Sequence, residues 1–309
     1  MSILFITSNR IGDAVLSTGL LNRLLEMYPD DGVCVAAGGP CAALFEAVPR
    51  LLDIHTMTKR KRGGHWFELW RKVARHPWRA VIDIRRSALP WTIRVQHRYV
   101  VPRPRDNEHR VESLSRALGA EILSPTLWTN TGHEQHARQI IGDVGDFITI
   151  APSANWIGKT WPSSRFADLA TMLADAGNTK VLIVGAEPER AMAMPVFLQL
   201  GDAAIDGIGI GLLESFAAIR HTRLFIGNDS GLMHLAAASG VPTVGLFGPS
   251  NDRHYAPWGE NGLVVRTPES LDELTGGPDY DYRNPGCMME SLQVDTVIQA
   301  IRDRWPDIL

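Results

Sequence analysis

Residues 223–250 read RLFIGNDSGLMHLAAASGVPTVGLFGPS. Arg223–Ile226 is a short apolar run with no helical period, Gly231–Ser239 is helix-compatible, and Thr243–Phe247 is a second apolar run after Gly240-Val241-Pro242. Strand, tight loop, helix and strand in immediate succession point to a parallel sheet with helices on its faces. The stretch from Ser230 to Asn251 is uncharged, but Gly231, Gly240, Pro242, Gly245, Gly248 and Pro249 interrupt it, so it is a poor spanning helix.

The same grammar extends in both directions. Upstream, Phe147–Ala151 and Lys180–Val184 read as strands, with helices at Ser164–Ala176, Pro188–Leu200 and Gly211–Ile219. The N-terminal part opens with a strand at Ser2–Thr7 and a helix from Ala14 to Met27, carried by Leu16, Leu20, Leu21, Leu24 and Leu25. Further strands are expected at Val33–Ala37, Leu52–Thr56, Ala80–Ile84 and Arg98–Val101. The pattern breaks at Ile141–Asp146 (IGDVGD), which divides the chain into domains 1–142 and 143–309. A length of 309 residues with 45% apolar content sustains two such cores.

Composition narrows the classes. Charged residues are 21% and aromatics 7%, which excludes a disordered chain. Cys34, Cys41 and Cys287 form no CxxC pair, so neither a disulfide scaffold nor a cysteine-built metal site is expected. No signal peptide is read at the N-terminus, and a cytoplasmic protein is expected. The net charge of −3 hides a split: residues 1–106 carry 17 basic and 9 acidic side chains, and residues 59–105 alone carry 14 and 2. Such a basic lobe favours an anionic partner.

Chemistry-bearing residues collect where strands end, which is where open α/β sheets bind ligands. Asn9-Arg10-Ile11-Gly12-Asp13 follows the first strand, and Asp13 there is either a helix cap or a general base. The loop lacks GxGxxG and the Walker pattern. Asn228 to His234 follows Arg223–Ile226 and opens a helix. Backbone N–H groups at Ser230 and Gly231 suit an anion there, while Asp229, Ser230 and His234 are either site residues or cap and packing residues. Lys159, in NWIGKTWP beyond Phe147–Ala151, suits a phosphate.

The stretch NDSGLMHLAAASGVPTVGLFGPSNDRHYAPWG, with KTWP (159–162), RIGDAVLSTGLL (10–21) and CMMESLQVDTV (287–297), resembles the ADP-heptose:lipopolysaccharide heptosyltransferases of glycosyltransferase family 9. The resemblance is strong over residues 1–30 and 147–260 and weak over 50–140. It implies an α/β GT-B fold, two Rossmann-like doubly wound domains facing across a cleft, with helix 294–304 crossing back to the first. It implies inverting transfer of a heptose from an ADP-sugar to a lipopolysaccharide core, with no cofactor and no metal. On it, Asp13 matches the general base, Lys159 the phosphate-contacting lysine, and Asp229, Ser230, Gly231 and His234 the donor loop. Arg10, Arg62 and Arg85 are candidate contacts for an anionic, lipid-linked saccharide acceptor. The basic, aromatic-rich segment is expected either to be a solvated face or to dock at the cytoplasmic face of the inner membrane. Alternatives are a different nucleotide sugar, a sugar epimerase and, more distantly, a nucleic-acid-binding module.

Overall fold

A computed structural model describes residues 1–119, 121–277, 280–283 and 286–308. The chain divides into two compact units, Met1–Asn130 and Thr131–Leu309.

The first unit holds a five-stranded sheet of β1 (Ser2–Ile6), β2 (Gly32–Gly38), β3 (Leu51–Met57), β4 (Trp78–Asp83) and β5 (Val95–Val100), in the order β3-β2-β1-β4-β5. Every pairing is parallel. All five residues of β1 are buried, as its unbroken apolar run requires in a sheet covered on both faces. The helix expected at Ala14–Met27 begins earlier and breaks in two, α1 (Ile11–Leu16) and α2 (Thr18–Met27). The break has a local cause. Ser17 Oγ donates to the Ala14 carbonyl at 2.8 Å and Thr18 Oγ1 to the Val15 carbonyl at 2.7 Å, so hydroxyls bind carbonyls that the helix would otherwise use. Gly19 lets the chain pass closely, since a Cβ there would lie 2.3 Å from the Leu123 carbonyl oxygen. Helix α3 (Gly64–Val73) buries His65, Leu69 and Val73, and α4 (Arg110–Ser115) starts from a capping box between His109 and Glu112.

The second unit holds six parallel strands, β6 (Phe147–Ala151), β7 (Lys180–Gly185), β8 (Ala204–Ile208), β9 (Leu224–Asn228), β10 (Thr243–Phe247) and β11 (Gly262–Arg266), ordered β11-β10-β9-β6-β7-β8. Helices α5 (Thr131–Ile141), α6 (Ser163–Gly177), α7 (Arg190–Leu200), α8 (Leu212–Ile219), α9 (Gly231–Ser239), α10 (Asp252–Tyr255), α11 (Leu271–Thr275) and α12 (Val294–Arg304) complete it. One sheet face packs on Phe166, Leu169, Leu173 and Val196, the other on Ala137, Ala217, Ile219 and Met233. Strands β8 and β11 had no counterpart in the sequence reading.

The division into compact units falls at 130/131, where the sequence reading places its domain boundary at 142/143. Helix α5 buries Ala137 and Ile141 in the same cluster as Phe147 and Leu182, so IGDVGD is a helix-to-strand turn inside the second unit. Helix α12, expected to reach back to the first domain, buries Val297, Ile298 and Ile301 in the core of the second. Among the described residues no helix is long and apolar enough to cross a membrane.

Counted from its own first strand, each sheet follows the doubly wound 3-2-1-4-5 order, extended by a sixth strand in the second unit. The order reverses between β1 and β4 and again between β6 and β9. Loops leaving these strand pairs diverge and open a crevice.

Candidate active site

The crevice beyond β6 and β9 collects the second unit's candidate residues. A buried side chain joins the two strand ends: Asn228, fully buried, accepts from the Trp161 N–H at 2.9 Å and donates to the Pro152 carbonyl at 3.1 Å. The loop between β6 and α6 thus has a fixed height over β9, and it places Lys159. The Lys159 ammonium stands 3.4 Å from Asp229 Oδ2, with the two side chains 17% and 11% exposed. Asp229 does not cap α9. That helix has Ser230 as N-cap, in extended backbone and with no side-chain cap bond. Among the described residues, Ser230 Oγ is instead buried without a hydrogen-bond partner, as is Ser250 Oγ in the loop after β10. A buried hydroxyl is rarely left unmatched, and this one sits where the first N–H groups of a nine-residue helix carry partial positive charge. Gly231 is the first residue of that helix, and His234 is buried within it, its ring 6.3 Å from Tyr255.

A strap from the C-terminal part of the unit grips the Lys159 loop. Trp156 stacks on Tyr282 with centroids 5.1 Å apart, the Met288 N–H donates to the Gly158 carbonyl at 3.1 Å, and Cys287 Sγ donates to the Thr160 carbonyl at 3.3 Å. The Trp161 indole N–H donates to the Leu292 carbonyl at 3.0 Å. Chemically, this end of the sheet offers an anion one ammonium, a helix N-terminus and at least one unengaged hydroxyl.

The crevice beyond β1 and β4 in the first unit is built differently. Helix α1 begins at Ile11 with Arg10 as N-cap, so Asp13 lies inside the first turn and the capping alternative does not hold. The Asp13 carboxylate accepts from Ser8 Oγ at 3.5 Å and stands 3.8 Å from Arg110 Nε. Asp13 and Arg110 are 17% and 13% exposed, so the carboxylate is oriented yet reachable. Below it, burial and the Asp13 charge push the Cys41 thiol up to about 12, which keeps that cysteine unreactive.

Beside this lies a cavity of about 270 Å³ lined by Asn9, Met57, Lys59, His65, Trp66 and Arg85. The Arg85 guanidinium lies 4.5 Å from the Trp66 ring centroid, a cation–π contact that fixes its fork. Burial, reinforced by the neighbouring Arg85 charge, holds His65 below the usual imidazole range. Arg85 therefore sits in a pocket of positive charge, whereas Arg10 and Arg62 are exposed and do not line it. Among the described residues no three His, Cys, Asp or Glu side chains gather as a metal site.

Sequence reasoning missed Arg110, and it gave no site role to Asn228 or Cys287 although both stand in its quoted stretches. Arg110 and Asp13 are far apart in sequence, and only the fold joins them.

With this geometry in hand, comparison with known proteins decides the family. The profile of glycosyltransferase family 9 (heptosyltransferase) matches residues 55–274. The chain belongs to glycosyltransferase family 9. The match makes it a glycosyltransferase, and it runs through the region where the sequence resemblance is weak. Among the relatives of this family 9 member, the lipooligosaccharide heptosyltransferase 2 of Haemophilus influenzae is 23% identical over 86% of this chain and 88% of its own. The lipopolysaccharide heptosyltransferase 1 of Pseudomonas aeruginosa is 25% identical over 84% and 82%. In solved structures the fold recurs in a family 9 glycosyl transferase of Veillonella parvula, with TM-score 0.79 and 21% identity over 98% and 96% of the two chains. It recurs also in the ADP-heptose lps heptosyltransferase II of E. coli, with TM-score 0.76 and 21% identity over 98% of each. The GT-B fold class is therefore shared.

Proposed function

We propose that this family 9 enzyme moves a heptose from ADP-heptose to the lipopolysaccharide core or a related glycan, with inversion at the anomeric carbon. The observation that carries the reading is the second unit's anion site. Lys159, paired with Asp229, and the unengaged Ser230 hydroxyl meet the positive end of α9 at the point where the sheet reverses its strand order. A nucleoside diphosphate leaving group gains charge as its bond to the sugar breaks, and such donors stabilise that charge without reorganising. The names of the relatives, and an E. coli heptosyltransferase solved with ADP, supply the sugar and the nucleotide.

On the first unit Asp13 is the general base. It takes the proton from the acceptor hydroxyl as that oxygen attacks the anomeric carbon, and Arg110 and Ser8 hold its carboxylate in place. Lys59 and Arg85 in the cavity suit a carboxylate or phosphate on the acceptor; Arg10 and Arg62, exposed and outside the cavity lining, are further candidate contacts for it. His234 belongs to the donor loop. The donor is a substrate, and the reading needs no separate cofactor, no metal and no nucleic acid. Transfer takes place at the cytoplasmic face of the inner membrane, on a lipid-linked acceptor.

Calorimetric binding of ADP, UDP, GDP and CDP, with and without magnesium, tests this directly. Metal-independent preference for ADP is expected. Preference for another nucleotide moves the donor while keeping the site, and turnover of a nucleotide sugar without acceptor replaces transfer by epimerisation.

A further inference from the structure

We propose that the outer face of α3, with the Leu89–Trp91 turn on the same side of the first unit's sheet, is a docking surface for an anionic lipid bilayer. The proposal rests on the reading of the acceptor as lipid-linked and names the surface that would bring the enzyme to it.

Helix α3 is fixed from one side only. His65, Leu69 and Val73 are its buried residues, and Leu69 and Val73 share an apolar cluster with Met57, Trp78, Leu89 and Ile93. On the outward side, Phe67 is 62% exposed and Trp70 39% exposed, their rings stacked with centroids 6.0 Å apart. Leu89 and Ile93 of that cluster bracket Trp91, which is 67% exposed beneath the Arg98 guanidinium. Three large aromatic side chains therefore stand in water on one sheet face. Single exposed apolar residues are ordinary, but a stacked aromatic pair on a helix already anchored by its other face is built to be covered.

The surrounding charge says by what. Residues 59–75 hold Lys59, Arg60, Lys61, Arg62, Arg71, Lys72 and Arg75 against the single acid Glu68, which Arg60 already engages at 2.7 Å. Arg71, Lys72 and Arg75 are exposed on and just beyond the helix. Indole and phenyl rings partition into the boundary between headgroup and acyl chain, while lysine and arginine meet anionic headgroups above it. Single-stranded RNA also pairs with basic aromatic surfaces, but it needs free ring faces for its bases. Here Phe67 and Trp70 each give one face to the other, with planes 15° apart, and the Arg98 guanidinium covers a face of Trp91.

The test is sedimentation with vesicles of phosphatidylcholine alone and of phosphatidylcholine with phosphatidylglycerol. The wild-type protein is expected to bind the anionic vesicles only, less as salt rises. Phe67→Ser/Trp70→Ser should bind them about tenfold more weakly or worse, with an unchanged melting temperature. Arg71→Gln/Lys72→Gln should weaken the same binding by a smaller factor. A wild-type protein that ignores anionic vesicles overturns the proposal. So does a Phe67→Ser/Trp70→Ser variant that binds as well as wild type, or retention of RNA without vesicle binding. Nucleotide calorimetry on the same variants separates the two readings: vesicle binding without ADP binding leaves this surface standing and removes the donor assignment.

Discussion

The two units repeat one architecture and use it in opposite ways. Each places its candidate residues beyond the pair of strands where the order reverses, β1/β4 in the first unit and β6/β9 in the second. In the second, the crevice is sewn shut around its anion site: Asn228 ties the strand ends together, and Tyr282, Cys287, Met288 and Leu292 hold the Lys159 loop at Trp156, Gly158, Thr160 and Trp161. In the first, the Asp13 carboxylate has long contacts to Ser8 and Arg110 among the described residues, and the adjoining cavity is basic. The difference fits two kinds of ligand. A nucleotide diphosphate is a constant object and rewards a rigid cradle, since little ordering remains to be done on binding. A branched saccharide on a lipid is large and variable, and long-range attraction with looser contacts suits it.

Substitutions can break this division of labour. The largest effect is expected for Asp13→Asn, which should lower transfer by about 10²–10⁴ while leaving ADP binding unaltered. Equal turnover in a steady-state assay would remove the base from Asp13. Next, Lys159→Ala should weaken ADP by about 10²-fold in calorimetry, because it deletes a charge-assisted contact and leaves Asp229 to repel the diphosphate. If acceptor KM moved instead, the units would have been assigned the wrong ligands. Arg85→Ala should raise acceptor KM about tenfold with donor affinity unchanged; a change in ADP binding here would dissolve the comparison. The smallest shift belongs to Ser230→Ala, a few-fold loss of ADP affinity with stability kept or slightly improved, since the hydroxyl has no hydrogen-bond partner to lose among the described residues. A melting temperature that falls sharply would make Ser230 structural.

Much of this could be read from the chain because the signals were local. The alternation around β9, α9 and β10 lies in one unbroken stretch, and the structure returns α9 with the expected bounds, Gly231–Ser239. Lys159 and Asp229 meet because their loops leave neighbouring strands; the alternation puts each residue beyond a strand end, and the strand order sets the two ends side by side. What escaped depends on distant partners or on side-chain detail. Arg110 reaches Asp13 from α4, and nothing in the spacing announces it. The split of α1 from α2 follows from two hydroxyls binding carbonyls, invisible to an apolar periodicity that runs on through Ser17. Strand β8 is broken by Asp206 and Gly207 (AIDGI), and β11 (GLVVR) holds three apolar side chains between Gly262 and Arg266, so neither shows the dense apolar run of a central strand. Helix α5 reads TGHEQHARQII and buries little beyond His133, Ala137 and Ile141; its polarity masked its membership of the second core.

Asn228 also serves as a clock. Its side-chain amide is sealed from water and donates one proton to the Pro152 carbonyl, so that proton exchanges with solvent only when the crevice opens. The Trp161 indole proton, bonded to Leu292, reports the release of the strap in the same experiment. If the strand ends and the strap form one cooperative unit, both signals decay at one rate, and a bound nucleotide slows them together.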